Sequence, residues 1–257
     1  MILPPGTLLQ LMYLNERLAT LTPGRFYEIG VGRGYLSANL LARGWSGVGF
    51  ELDSDSAAAA REGNQEAIRD GRYSIERKDW LRSDAVSDGT RADVVISCMV
   101  LEHLDEASEA LYLKRCRERL APGGRGILLV PGSPRDWGIE DEIAGHQRRY
   151  TRESLAALLE ANDARVAHMA GLTYPLSNLL LPLSNRLVVR AERDKLVLDA
   201  DARTRASGRR EVVGKTVFPA VAGLLLNQVA LYPLHLLQKA LRSAERALVL
   251  YAEFSWS

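Results

Sequence analysis

Seven residues, Glu28-Ile29-Gly30-Val31-Gly32-Arg33-Gly34, set a carboxylate ahead of three alternate glycines, a pattern suited to holding a nucleoside-bearing ligand. Glycine reaches positive φ freely and, lacking Cβ, lets a ligand lie against the backbone. A dinucleotide site uses Gly-x-Gly-x-x-Gly to seat a pyrophosphate on a helix N-terminus. Here the third glycine comes one residue early. Glu28 also stands where a diphosphate would have to sit, and a carboxylate repels an anion while attracting a cation. A cationic nucleoside fits better. Glu51 closes a second apolar run, Ser46-Gly47-Val48-Gly49-Phe50, and supplies an acid where Rossmann-like units hydrogen-bond ribose hydroxyls.

Such residues need rigid carriers. Arg25 to Ile29 reads as a buried strand and Tyr35 to Ala42 as the helix after it, which places the glycines in the turn between them. A third strand is expected around Arg72 to Glu76, leading into Lys78-Asp79-Trp80. A fourth opens at Asp93-Val94-Val95-Ile96-Ser97-Cys98 and runs into Met99-Val100-Leu101-Glu102-His103-Leu104. Leu120-Ala121-Pro122-Gly123-Gly124-Arg125-Gly126 ends a helix and turns into the apolar strand Ile127 to Val130. A further helix is expected within Met1 to Leu21.

In this order the segments resemble the class I S-adenosylmethionine-dependent methyltransferases, whose first motif is acid-x-Gly-x-Gly-x-Gly. The likeness covers the first two thirds of the chain. It implies an α/β fold, a Rossmann-like class I methyltransferase sheet with flanking helices, and S-adenosylmethionine as cofactor. The cofactor-binding residues it implies are Glu28, Gly30, Gly32, Gly34, Glu51 and Asp79. Asp79 would stand beside the adenine amino group with Trp80 as a ring neighbour, and Cys98 and Met99 would contribute backbone. In the family the last strand enters the sheet antiparallel between the fifth and sixth, and the Leu, Val and aromatic content of Leu248 to Phe254 suits it. On that reading residues 1–170 plus 244–257 form the cofactor-binding domain, and 171–243 form a helical insertion or lid over the crevice.

The acceptor side centres on Gly145-His146-Gln147-Arg148-Arg149-Tyr150-Thr151, after the acidic run Glu140-Asp141-Glu142. It resembles the "GH-x-RRYT" segment of a methyltransferase subgroup associated with sugar and cell-surface glycan pathways. A hydroxyl nucleophile benefits from a base with pKa near neutrality, which makes His146 the first catalytic candidate, His103 the second and Tyr150 a third. Arg148 and Arg149 have two readings that stay open at this point: recognition of an anionic group on the substrate, or pairing with the acidic run. Ubiquinone-type O-methyltransferases share a "SEVLEH" segment able to hold a divalent ion. Here Glu102 and His103 match, but Met99 replaces the first glutamate, and a soft thioether suits a hard cation poorly. No metal is expected. The acceptor implied is a sugar, a lipid-linked saccharide or a hydrophobic small metabolite. A non-enzymatic scaffold of the same fold would bind no cofactor.

Composition bounds these readings. The chain has 257 residues with a formal net charge of +1, which argues against a nucleic-acid substrate. Its two cysteines, Cys98 and Cys116, fall on an expected buried strand and helix, and no secretory signal precedes them, so a reduced, cytoplasmic protein is expected. Residues 1–164 hold 20 basic against 25 acidic side chains, and the remainder 13 against 7. The basic surplus includes Arg186, Arg190, Arg193, Lys195, Arg203, Arg205, Arg209, Arg210 and Lys215, most simply read as a solvated helix face. Val166 to Asn185 and Thr216 to Gln238 carry no Asp, Glu, Lys or Arg. Pro175, Pro182, Pro219 and Pro233, with Asn and Gln among them, argue against spanning. An internally packed helical subdomain and a peripheral contact with the inner face of a membrane both stay open. Oligomeric state is not legible here.

Overall fold

The structure is a computed structural model in which residues 2–82, 89–192, 194, 203 and 212–256 are described. Arg193, Lys195, Arg205, Arg209 and Arg210, with Asp199, Asp201 and Glu211 between and beside them, lie outside the described residues.

Each expected strand forms, joined by one that the sequence did not announce, Arg165–Leu172. They are β1 (Arg25–Ile29), β2 (Ser46–Phe50), β3 (Tyr73–Glu76), β4 (Ala92–Cys98), β5 (Leu120–Pro131), β6 (Arg165–Leu172) and β7 (Val249–Ser255), in one seven-stranded sheet of order β3-β2-β1-β4-β5-β7-β6. The pairs β1·β2, β1·β4, β2·β3 and β4·β5 are parallel. β7 lies between β5 and β6, the place expected of the last strand. The helices are α1 (Pro5–Leu18), α2 (Tyr35–Leu41), α3 (Ser54–Gly63), α4 (Gln65–Arg69), α5 (Glu106–Arg119), α6 (Ile139–Ala144), α7 (Arg152–Ala161), α8 (Leu176–Glu192) and α9 (Tyr232–Ala240).

The chain divides into two compact units, one of Pro23–Val130, Arg152–Met169 and Tyr251–Ser257 and the other of Met1–Thr22, Pro131–Thr151 and Ala170–Leu250. The segment 171–243, expected as an insertion, thus groups with the N-terminal helix and the loop after β5.

In the first unit the sheet is built around aromatic side chains. Phe26 stacks on Tyr73 with ring centroids 5.8 Å apart, and Phe50 meets Trp80 at 5.1 Å. Burying each ring contributes about 1.5–3 kcal/mol. β2 takes glycine where its neighbours need room: a Cβ on Gly49 would lie 2.4 Å from Tyr73 Oη and from Val31 Cγ2. Gly126 does the same on β5, where a Cβ would lie 2.2 Å from Phe254 Cζ. Arg125 and the buried Glu253 close that edge with a 2.8 Å ion pair.

In the other unit α1 and α9 share an apolar cluster of Leu8, Leu9, Met12 and Leu231. A polar network runs beside it. Gln238 donates to Leu9 O and to His235 Nδ1, and accepts from Thr173 N. His235 Nε2 reaches Glu16 at 2.8 Å, and Lys239 reaches the other oxygen of Glu16 at 2.6 Å. Neither uncharged stretch is one helix. Val166 to Asn185 divides into β6 and α8 about Thr173, at φ 67°, while Thr216 to Gln238 holds a short 3-10 turn, Ala220–Leu224, before α9. Among the described residues no helix is long and apolar enough to cross a membrane.

Candidate functional site

The glycine turn joins β1 to α2, and its three glycines serve different ends. A Cβ on Gly30 would lie 2.4 Å from Val100 Cγ2, so that position is kept bare for the neighbouring β4 turn. Gly34, at φ 80°, packs α2 on α3: a Cβ there would lie 2.7 Å from Asn64 Nδ2 and 3.0 Å from Ala60 Cα. Gly32, at φ 54°, has nothing within 4 Å of where its Cβ would be. This middle residue leaves the open face against which a ligand can lie.

Glu51 clamps that face. Its carboxylate accepts from Gly32 N at 2.8 Å through one oxygen and from Asp53 N at 2.9 Å through the other. Each carboxylate oxygen has a second lone pair to offer, so the clamp leaves room for a diol. Glu28 lies beneath the turn, fully buried, and accepts a short hydrogen bond from Ser37 Oγ. Burial, assisted by the charge of Glu51 and opposed by the Ser37 hydroxyl, pushes its carboxyl up to about 8.

The remaining sequence candidates in this unit divide. Asp79 is half-buried after β3, and its Oδ1 accepts from Leu81 N at 2.9 Å, which fixes the carboxylate in a tight turn. Trp80, expected as an adenine neighbour, is instead a core residue, 4% exposed and packed on Phe50 and Tyr27. An aromatic beside an acid has two faces to choose from, and the apolar core took this one. Cys98 ends β4, where burial pushes its thiol up to about 12. Met99 follows at φ 56°, a conformation costing a non-glycine residue about 1–3 kcal/mol, and is pinned by Met99 N donating to Leu129 O at 2.8 Å. His103, half-buried, closes the 3-10 turn Leu101–His103.

The other unit carries the His146 segment. Gly145 ends α6 at φ 75°, turning the chain back on its own helix. There Asp141, 1% exposed, gathers three partners: His146 Nδ1 at 2.9 Å and Arg149 Nε at 2.8 Å on Oδ1, and Gly138 N at 2.9 Å on Oδ2. Burial raises its carboxyl, but the hydrogen bonds from His146 and Arg149 and the guanidinium charge outweigh it and hold the group at about 2. An ionised carboxylate only accepts, so Nδ1 of His146 is the donor and the lone pair of the neutral ring sits on Nε2.

Arg149 is thereby accounted for. It spans Asp141 and Gly132 O (3.1 Å) with its side chain 7% exposed, so of its two readings the structure takes pairing with the acidic run. Tyr150 is likewise enclosed, its N–H donating to Pro131 O at 2.9 Å. Arg148 stays half-buried. The sequence offers the acidic run as a partner for the arginines but does not single out Asp141 as the partner of His146, and it gives no sign of Ser37. An acid five residues before the histidine, in the first turn of a short helix, was the available signal for Asp141.

Comparison with known proteins agrees with this geometry. A family model described as a methyltransferase domain matches residues 8–169. The chain is 34% identical over 100 residues to the ubiquinone biosynthesis O-methyltransferase of Cereibacter sphaeroides, covering 39% of this chain and 38% of that protein. It is 26% identical over 175 residues to the phenazine-1-carboxylate N-methyltransferase of Pseudomonas aeruginosa, covering 65% of this chain and 48% of that one. The matched region thus spans less than half the length of either relative. In fold it is similar to a glycopeptide N-methyltransferase, with TM-score 0.55 and 16% identity over 97% of this chain and 90% of the other. The S-adenosylmethionine complex of that enzyme gives TM-score 0.52 at 19% identity, covering 64% and 86%.

Proposed function

The chain belongs to the class I S-adenosylmethionine-dependent methyltransferases, and from that premise we propose that it methylates a hydroxyl on a sugar, a lipid-linked saccharide or a hydrophobic small metabolite. S-adenosylmethionine is the cofactor. Bound, it supplies a methyl carbon already activated by the sulfonium. This chain's residues hold and orient: the bare backbone at Gly32 takes the nucleoside, Glu51 the ribose hydroxyls and Asp79 the adenine amino group. The turn from Cys98 through Met99 lines the site, and Glu28 answers the cationic end.

The observation that carries the oxygen reading is the Asp141–His146 pair. A hydroxyl must lose its proton as it takes the methyl group, and an imidazole whose Nδ1–H is held on a carboxylate presents Nε2 as the base. His103 is the second candidate, and Arg148 is the candidate for meeting an anionic group on the acceptor. The near-neutral net charge of +1 supports a small acceptor over a nucleic acid.

Titration with S-adenosylhomocysteine, then a labelled-methyl screen against glycan and lipid-linked fractions, tests this. Glu51→Ala removes a charged acceptor worth about 1.5–3 kcal/mol and is expected to weaken S-adenosylhomocysteine binding by roughly 10- to 100-fold. An unchanged affinity would reject Glu51 as the ribose ligand. No binding by the wild-type protein would favour a scaffold.

The second uncharged stretch supports a peripheral contact with the cytoplasmic face of a membrane as part of this reading. It exposes Val221, Leu224, Leu225 and Val229 at 69–85%, more apolar surface than a solvated loop has reason to present. The protein is expected to float with anionic vesicles, and Leu224→Ser with Leu225→Ser to reduce the floating fraction. Wild-type protein that stays wholly at the bottom of the gradient would reject the contact.

A further inference from the structure

Beneath the glycine turn three buried side chains from three elements form one hydrogen-bonded row. Glu28 of β1 accepts from Ser37 Oγ of α2, and Ser37 Oγ lies 2.5 Å from Tyr73 Oη at the start of β3. All three are at most 3% exposed. The row exists because Gly49 has no side chain, since a Cβ there would lie 2.4 Å from Tyr73 Oη and displace it. Each partner comes from a different element, so the row is set by the packing of the sheet and α2 and not by local sequence.

The groups that bear on Glu28 are few. From the end of β2 the carboxylate of Glu51 opposes its ionisation, and from α2 the Ser37 hydroxyl favours it. From β4 the thiol of Cys98 feels its charge and is itself kept protonated. Burial pushes the Tyr73 phenol far above its ordinary range, and Arg61 bears on it only weakly, so Tyr73 stays a neutral hydroxyl. What Glu28 meets from within the protein is therefore hydroxyls, a thiol and a like charge.

We propose that Ser37 and Tyr73 are positioning residues that fix Glu28 beneath the glycine turn, where burial beside the like charge of Glu51 keeps it a neutral carboxyl, and that the arriving cationic cofactor displaces its proton to solvent. The step balances: one O–H bond of the carboxyl breaks, the proton leaves to buffer, and the carboxylate stays opposite the ligand's cationic end. Cofactor binding is then coupled to release of one proton. The proposal rests on the cofactor reading.

The sign follows from linkage. The free protein holds the Glu28 proton below about pH 8, and the complex gives it up, so affinity rises with pH by up to about tenfold per unit and levels off near pH 8. Calorimetry with S-adenosylhomocysteine and with sinefungin, in buffers of different ionisation enthalpy between about pH 6 and about pH 8.5, reads both proton release and affinity. Release of about one proton near neutrality, fading toward the upper limit, is expected of the wild type. Glu28→Gln should bind with neither release nor pH dependence. Ser37→Ala removes the hydrogen bond that favours ionisation, so its levelling point moves to higher pH, and Ser37→Thr should restore it. Tyr73→Phe is expected to shift the same point. A wild-type protein that binds without releasing a proton, or a Glu28→Gln protein that keeps the wild-type pH profile, would overturn the proposal while leaving the cofactor reading intact. No heat with either ligand at any pH would overturn both.

Discussion

Asp141→Ala is expected to lower folding stability by about 3–5 kcal/mol, the loss typical of removing one partner from a buried ion pair. The carboxylate is 1% exposed and serves Arg149, His146 and Gly138 N together. Without it the Arg149 guanidinium, whose side chain is 7% exposed, keeps Gly132 O as its recorded neighbour but loses its counter-charge. Urea unfolding followed by circular dichroism measures the loss, read as a lower midpoint at unchanged slope. Asp141→Asn retains an acceptor oxygen but brings an amide that must face a donor, so its loss is expected to be smaller. The pH dependence gives an independent check. The group sits at about 2 in the folded chain against an ordinary 3.8, so its contribution is present above about pH 4 and lost as pH falls through about 2. That contribution is about 2 kcal/mol. A loss below about 1 kcal/mol in Asp141→Ala would mean that Arg149 finds a new partner at little cost, and the cradle would be a minor feature.

What the sequence made legible follows a physical division. The glycine turn could be read because each glycine reports a local demand on the backbone, and alternation with a preceding acid leaves few alternatives. The order of strands was legible for a similar reason, since short apolar runs between turn residues have little else to become. Direction was harder. Trp80 and Asp79 are neighbours, and nothing in their types says which of them packs against Phe50 and which closes a tight turn. Long-range partners were harder still. Glu140, Asp141 and Glu142 look like one solvated acidic first turn, yet only Glu142 is exposed. Glu140 is met by Ser184 at 2.5 Å and by Lys215, partners 44 and 75 residues away, while Asp141 is the hub of its own loop. The same limit hid the row under the glycine turn. Ser37 reads as a small residue in a helix and Tyr73 as an ordinary strand aromatic, and only the bare Gly49 between them lets the two hydroxyls meet.

His146→Ala is expected to lower kcat by roughly 10²- to 10⁴-fold, the usual contribution of a positioned general base, with the affinity for S-adenosylhomocysteine within about twofold of wild type. The split is the informative part. Proton removal from the acceptor acts on the chemical step, whereas cofactor binding is assigned to Glu51 and the glycine turn, so a fall in both would point to a structural loss. Asp141→Asn supplies the cross-check, because it leaves His146 in place but removes the charge that fixes Nδ1 as the donor. If the pair acts as one base, the double variant His146→Ala with Asp141→Asn should be no slower than His146→Ala alone, since residues that act as a unit are not additive. Chelator is expected to leave turnover unchanged, as Met99 in place of a hard ligand implies, and abolished turnover would transfer the acceptor's activation to a metal. Near-normal turnover in His146→Ala would carry a different meaning. The acceptor would then arrive with no proton that needs removing before transfer, as a neutral amine does, and the enzyme would stand with the N-methylating relatives among those it resembles.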